Sequence, residues 1–359
     1  MSKAITIALD AMGGDDAPEI VVQGADIIKK SHPNLTLVFV GDKKQLTPLL
    51  EKTQSVKDAQ IIHTTAQIAA DDKPSSAVRR GRQSSMWLAI QEVAEQRADA
   101  VVSAGNTGAL MAMAKLQLRM MEGISRPAIS TFLPTLSGPC CMLDLGANIE
   151  VDETNLVQFA MMGVAFYRDV VGKANPSVGL LNVGEEEQKG FDYLRLAAQE
   201  LSRPEMGINY HGFVEGSDIG AGTTDIVVTD GFTGNIALKT TEGTAKLLQH
   251  MMRESFTASW LNRLRYLIAK PAIDLLRQKL DPRTYNGAVL LGLNGIAVKS
   301  HGGTDGFGYA HAIEVAANLV EHGFIDEVSE AISEANRLGL LADDKSGSGD
   351  ETPLDTKAS

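Results

Sequence analysis

Asp99-Ala-Val-Val-Ser-Ala-Gly-Asn-Thr-Gly-Ala109 and Asp225-Ile-Val-Val-Thr-Asp-Gly-Phe-Thr-Gly-Asn235 read almost as copies of each other. Each is a short β-branched run, then a Gly-x-Thr-Gly turn, then an apolar helical pattern from Leu110 or Ile236 onward. The turn sits where a parallel strand ends and a helix begins. Glycines there let a ligand approach the backbone, and the first free N–H groups of the helix point toward it. Such a place favours an anion, usually phosphate. A single copy is explained as well by a tight turn; two copies, with Asn106 and Asn235 in or beside them, point to a shared polar cleft.

Working outward, strand and helix signals alternate nearly throughout. Strands are expected at Ile5–Leu9, Leu35–Val40, Ile61-Ile62, Ala100–Ser103, Ala128–Leu133, Cys141–Leu145, Val178–Asn182, Ile208–Val214 and Ile226–Thr229. Helices are expected after Pro18, over Pro74–Arg97 and over Ala109–Met121. Continuous Val/Ile/Leu runs imply strands covered on both faces. The class is therefore α/β, a doubly wound, mostly parallel sheet with helices on both sides. Residues 1–341 form one catalytic unit, in one lobe or two. The 244–281 segment has helical pattern without strand signal, and Pro271 divides it into two helices. The polar tail 342–359 is expected to be disordered.

The 359 residues carry a net charge of -12, which argues against nucleic acid as a partner. No apolar run is long enough to span a membrane, and Met1-Ser-Lys-Ala-Ile-Thr-Ile7 lacks a signal-peptide layout, so the expected location is the cytoplasm. Cys140 and Cys141, the only cysteines, are adjacent in a strand and point to opposite faces, as reduced core residues would. The seven histidines show no ligand spacing, and no metal site is expected.

The strand ends collect a polar set. They carry Asp10-Ala-Met-Gly13-Gly14-Asp15, Asp144-Leu-Gly-Ala-Asn148, Asn182-Val-Gly184-Glu185-Glu186-Glu187-Gln-Lys189-Gly190 and Lys299-Ser-His301-Gly-Gly303. Neither a Walker loop, a dinucleotide fingerprint nor a Gly-x-Ser-x-Gly elbow is among them. What remains is an anion cleft that orients phosphate as the nucleophile. Asp144 and Asp230 either serve it or cap the next helix. The Glu185–Glu187 run serves it or is a solvated turn. Lys189 opposes a helix dipole, which favours a ligand role.

These blocks resemble the bacterial phosphate acyltransferase family PlsX. Ala11-Met12-Gly13-Gly14-Asp15 with Ala17-Pro18, Ser103–Gly108, Asp144–Asn148, Gly184–Gly190, Asp230–Asn235, Tyr285–Ala288 and Lys299–Gly302 occur in consistent order from about residue 4 to about residue 320. The resemblance implies transfer of a fatty acyl group from acyl carrier protein to inorganic phosphate, giving acyl phosphate for glycerol-3-phosphate acylation in phospholipid synthesis. It implies a fold like that of phosphate acetyltransferases and isocitrate/isopropylmalate dehydrogenases, a homodimer, and no metal or nucleotide cofactor.

On that basis Gly105, Asn106, Thr107, Gly108, Thr233, Gly234 and Asn235 hold phosphate or the developing oxyanion. Lys189 and His301 neutralise phosphate and assist the departing thiolate. Asp230 orients a cation. Gly13, Gly14, Asp15, Asp144, Asn148, Glu185 and Lys299 complete the substrate site.

Two basic patches stand out in an acidic chain. Arg79, Arg80 and Arg82 either form a solvated helix face or dock an acidic carrier protein. The 244–281 segment holds seven Lys/Arg against three acids, with Trp260, Leu261, Leu264, Leu267 and Ile268 on one face. That stripe suits a dimer contact, an anionic membrane surface, or both. The resemblance favours peripheral membrane association, beside a membrane glycerol-3-phosphate acyltransferase. Competing readings are a phosphotransacetylase using acyl-CoA, a dehydrogenase of the cousin fold, and a membrane scaffold.

Overall fold

The β-branched runs become the interior strands of a single sheet. A computed structural model describes residues 4–279, 281–337 and 339, with the backbone alone at 264, 275–279 and 282. The strands are β1 (Thr6–Asp10), β2 (Thr36–Gly41), β3 (Gln60–His63), β4 (Ala100–Ser103), β5 (Ala128–Thr135), β6 (Gly138–Leu143), β7 (Ser177–Leu181), β8 (Asn209–Val214), β9 (Ile226–Val228), β10 (Ala288–Leu291) and β11 (Ile296–Lys299). Their order is β3-β2-β1-β4-β11-β10-β5-β6-β9-β7-β8. The antiparallel pairings, β11 with β10, β10 with β5 and β5 with β6, lie together in the middle. Two parallel blocks flank them, and the three reversals make the blocks run in opposite senses. The near-copies fall one in each block, after β4 and after β9.

The helices are α1 (Glu19–Ser31), α2 (Lys43–Leu50), α3 (Pro74–Arg80), α4 (Ser85–Ala94), α5 (Thr107–Leu118), α6 (Glu153–Val171), α7 (Asp192–Leu201), α8 (Gly216–Ala221), α9 (Gly231–Thr257), α10 (Trp260–Lys279), α11 (Gly306–His322) and α12 (Phe324–Arg337). They cover both faces. Ile7 and Leu9 join Phe39, Val102, Phe159 and Ile313 on one side; Ala8 joins Val40, Val101, Leu110 and Ile90 on the other. Alternate residues of a strand face opposite ways, so both faces must be apolar and the runs continuous.

Two local expectations change, and one apolar stretch resolves into strands. The helix expected over Pro74–Arg97 is two, because Gly81 closes α3 and the Ser84 hydroxyl caps α4 by accepting from the Trp87 amide at 3.2 Å. The apolar stretch Gly287–Val298 is a hairpin of β10 and β11 that turns through Gly292, at φ 88°. Pro271 lies inside α10, and the break falls at 258–259 instead. There the Ser259 hydroxyl accepts from the Asn262 amide and Asn262 Nδ2 donates to the Ser255 carbonyl at 3.0 Å. These side-chain bonds satisfy otherwise unpaired groups at the break, while Pro271 costs α10 a backbone bond and crowds the preceding turn without ending the helix.

Cys140 and Cys141 are buried free thiols, and burial pushes Cys140 up to about 12. Among the described residues no helix is long and apolar enough to cross a membrane, and no group of three or more His, Cys, Asp or Glu could hold a metal ion. The 342–359 tail lies outside the described residues.

Candidate active site

Strand register builds the first half of the site. Ser103 of β4 pairs with Asp10 of β1 on one side and with Lys299 of β11 on the other. Three parallel strands thus end in a row of carboxylate, hydroxyl and ammonium. The Ser103 hydroxyl donates to Asp10 Oδ2 at 2.6 Å and accepts from the Gly105 amide at 3.1 Å.

The loops beyond these strands close on one another. The Asp15 amide donates to the Gly302 carbonyl at 2.9 Å. A Cβ on Gly13 would stand 2.7 Å from the Gly105 nitrogen, so only glycine allows this approach. Gly14, at φ 115°, takes a conformation that other residues adopt only under strain.

Lys299 Nζ donates to the Ala104 carbonyl at 3.3 Å and to the Ser300 carbonyl. Burial pushes its ammonium down to about 8; Asp10 and Asp15 oppose that fall and Lys239 adds to it. His301 is fixed by its neighbours. Its amide donates to Asn286 Oδ1 at 2.9 Å, and its Nδ1 accepts from the Gly303 amide at 3.1 Å. The neutral ring therefore carries its proton on Nε2. Partial desolvation lowers the His301 pKa; Glu242 opposes this, while Lys239, Lys299 and Lys246 reinforce it. Asn286 also donates to Ser300 Oγ and to the Gly308 carbonyl, so this one amide holds the whole histidine loop.

Beside this row, the first Gly-Thr-Gly turn is anchored from outside. Asn106 Oδ1 accepts from the Ala109 amide at 2.9 Å, and its Nδ2 donates to the Ala70 and Asp72 carbonyls. The Asn106 side chain is committed to capping α5 and clamping the preceding loop. The first-turn amides of Thr107 and Gly108 have no intrahelical acceptor, as at any helix start.

In the other block the second turn is braced by Asp144. Its Oδ1 accepts from the Ile129, Gly146 and Ala147 amides, and its Oδ2 from the Asn148 amide and side chain. Asp144 is fully buried, and desolvation raises its pKa against those donors. Asn148 in turn donates to the Pro127 carbonyl, and its own carbonyl accepts from Gly231. Asp230 caps α9, accepting from the Thr233 amide at 2.8 Å and the Thr233 hydroxyl at 2.7 Å. A Cβ on Gly234 would fall 1.9 Å from the Asp144 carbonyl oxygen, so glycine lets α9 press on the brace. Asn235 is exposed beside Gly146.

The two halves meet along α9. Its start lies on the Asp144 brace, while Lys239, Glu242 and Lys246 act electrostatically on His301 or Lys299. Nine residues separate Asp230 from Lys239, about 13 Å at the rise of an α-helix. Lys189 stands apart, in the turn after β7. It is exposed and paired with Glu186 at 2.7 Å, which raises its pKa, and Glu215 is the other acid near it. Glu185 is also exposed.

A family model described as fatty acid synthesis protein matches residues 5–327. A phosphate acyltransferase of Rhodospirillum centenum is 55% identical over 334 residues, covering 93% of this chain and 94% of that one. The chain belongs to the PlsX family of phosphate acyltransferases. A second relative, the phosphate acyltransferase of Parvibaculum lavamentivorans, is 52% identical over 349 residues, covering 97% of this chain and 96% of its own. Two solved structures share the fold. A phosphotransacetylase from Streptococcus pyogenes has a TM-score of 0.61 at 17% identity, covering 89% of this chain and 95% of that one. The EutD phosphotransacetylase from Staphylococcus aureus has a TM-score of 0.53 at 18% identity, covering 92% and 95%. The doubly wound, mostly parallel α/β class is thereby shown.

Around this PlsX-family core, Pro74 at the start of α3 packs on Gly108, which brings the arginine helix against the first turn. Arg79, Arg80 and Arg82 are exposed, and the Arg82 guanidinium lies 5.7 Å from the centre of the Trp87 ring. On α10, Trp260, Leu261, Leu267 and Ile268 are exposed, as are Leu247, Leu248 and Met251 on α9. The Leu264 side chain lies outside the described residues. Asp10, Ser103 and Asn286 lie in the blocks quoted above but carry no role there, because strand register and contacts distant in sequence are what give them one.

Proposed function

We propose that this chain, an acyltransferase by family, transfers a fatty acyl group from the thioester of acyl carrier protein to inorganic phosphate. A phosphate oxygen attacks the thioester carbonyl, the carbon–sulfur bond breaks, and acyl phosphate leaves with the carrier thiol reprotonated. Acyl phosphate then supplies glycerol-3-phosphate acylation in phospholipid synthesis. The observation that carries this reading is the half-buried Lys299 ammonium at the meeting point of three glycine-rich strand-end loops. It supplies positive charge and close backbone approach in one place.

In this reading Lys299 and the Gly13–Asp15, Gly105–Gly108 and Gly302 backbone hold phosphate. His301, neutral near pH 7 with its proton on Nε2, donates a hydrogen bond that eases departure of the sulfur, and the thiolate takes up the proton that the attacking hydrogen phosphate gives up. The α9 start with Thr233 and Asn235, together with Lys189, faces the acyl donor; Phe191 and Phe232 are exposed beside it and suit an aliphatic chain. Arg79, Arg80 and Arg82, carried next to the first turn by α3, dock the acidic carrier protein. The exposed apolar residues of α9 and α10 serve a homodimer contact for one part and an anionic membrane surface for the tip, near a membrane glycerol-3-phosphate acyltransferase.

The test incubates the protein with palmitoyl-acyl carrier protein, with and without phosphate, and traps acyl phosphate with hydroxylamine, beside a palmitoyl-CoA reaction. Phosphate-dependent product from the carrier protein supports the reading. Product from CoA alone makes the protein a phosphotransacetylase, and no product from either refutes the reading. Liposome sedimentation of a Trp260→Glu, Leu264→Glu variant that remains dimeric tests the membrane face; undiminished binding would remove it.

A further inference from the structure

Asp10 is a carboxylate inside the sheet, 1% exposed, at the end of a strand flanked by parallel neighbours on both sides. Burying such a group costs several kcal/mol unless it is partnered. Its Oδ2 has the Ser103 hydroxyl, while its Oδ1 is buried without a hydrogen-bond partner. Desolvation raises the Asp10 pKa, and Ser103, Ser85, the Met12 amide and the charge of Lys299 oppose that rise in favour of the carboxylate.

Two connections lead from it into the site. One is a chain of hydrogen bonds: Ser103 Oγ donates to Asp10 and accepts from the Gly105 amide, so the turn is tied to a core carboxylate. The other is charge. Register puts Lys299 two strands away, about 10 Å between backbones and on the same face of the sheet with Ser103 between them, and the Asp10 charge acts on it there.

We propose that Asp10 is a positioning residue: through Ser103 it fixes the Gly105–Gly108 turn, and by its negative charge it keeps Lys299 cationic to receive phosphate. The inference rests on reading the site as phosphate-dependent acyl transfer. Lys299 faces Asp10 from β1, Asp15 from the following loop, Lys239 from α9 and His301 from its own loop. Asp10 faces Ser103 from β4, Ser85 from α4, Lys299 from β11 and Tyr309 from α11, whose hydroxyl donates to the Val102 carbonyl. Lys239 works against the cation, and Asp10 and Asp15 are the two acids that support it.

Two variants separate the connections. Asp10→Asn can still accept from Ser103 but carries no charge. Ser103→Ala keeps the charge and cuts the link to Gly105. Two readouts are taken on the full chain: the pH dependence of Lys299 acylation by an amine-reactive reagent, followed by peptide mass spectrometry, and calorimetric titration with inorganic phosphate at pH 7.

The wild-type Lys299 midpoint is expected near 8. In Asp10→Asn it should fall by about one unit or more, the size of effect that an adjacent opposite charge produces. In Ser103→Ala the midpoint should stay within a few tenths, while phosphate binding weakens roughly tenfold through loss of the turn's anchor. An unchanged midpoint and unchanged phosphate affinity in Asp10→Asn overturn the proposal. Should Asp10→Asn fail to fold by circular dichroism, Asp10→Glu replaces it. That variant keeps the charge but displaces it, so weaker phosphate binding is expected and wild-type behaviour in both readouts overturns the idea. A wild-type protein that binds no phosphate refutes the functional reading itself, whereas the midpoint shift still reports whether Asp10 acts on Lys299.

Discussion

Raising the pH from 7 to 9 should weaken the use of phosphate about tenfold, and the cause should be Lys299 alone. Burial holds that ammonium down to about 8. A group with such a pKa is about nine-tenths charged at pH 7 and about one-tenth charged at pH 9. If the cationic form binds phosphate, the KM for phosphate rises by the ratio of those fractions. Phosphate itself becomes more fully dianionic over the same interval, which would strengthen binding, so a rise has to come from the protein. His301 is shifted below its ordinary value and stays neutral throughout, and the ion pair with Glu186 moves Lys189 upward, out of the window. The assay is initial-rate acyl phosphate formation at saturating acyl donor, with phosphate varied at half-unit steps of pH. Lys299→Met should give a high KM that does not rise with pH. A flat wild-type KM from pH 7 to 9, or the same rise in Lys299→Met, would refute the assignment of Lys299 as the phosphate cation.

Three further outcomes follow from the geometry. Asp144→Ala strands the five donors that its carboxylate accepts, and should destabilise the fold by about 3–5 kcal/mol, read as a large fall in Tm. Asp169 has a buried Oδ2 without a partner, and desolvation raises its pKa to about 6, with His322 opposing and Glu327 adding. The folded state therefore holds this proton more tightly than the unfolded chain, and stability falls as pH rises from about 4 to about 6, then levels off. Asp169→Asn should remove that slope and gain about 1 kcal/mol or more at pH 7, less than the full shift because the His322 contact is lost; urea unfolding at several pH values decides it. Lys189→Ala breaks only an exposed pair and should change stability by less than about 0.5 kcal/mol. Its turnover is the informative number, since unchanged turnover would remove Lys189 from the chemistry.

The sequence by itself determined the class of fold and the places where a ligand meets it. Runs such as Ile7–Leu9 and Val101-Val102 carry no polar alternation, and that pattern follows from burial on both faces whatever the partners are. Glycines at 13, 14, 105, 108 and 234 were legible as close approaches because no other residue leaves the backbone bare. Local pattern could not say which strands are neighbours. The central reversal, the hairpin inside Gly287–Val298 and the register that aligns Asp10, Ser103 and Lys299 depend on residues far apart in the chain, such as Lys299 and Ala104, 195 positions from each other. For the same reason Asn106 and Asp144 read as ligand groups in a list of strand ends, while the fold occupies their side chains with backbone donors and acceptors. Periodicity reports what each segment buries, and only tertiary packing decides which polar atoms remain for a substrate.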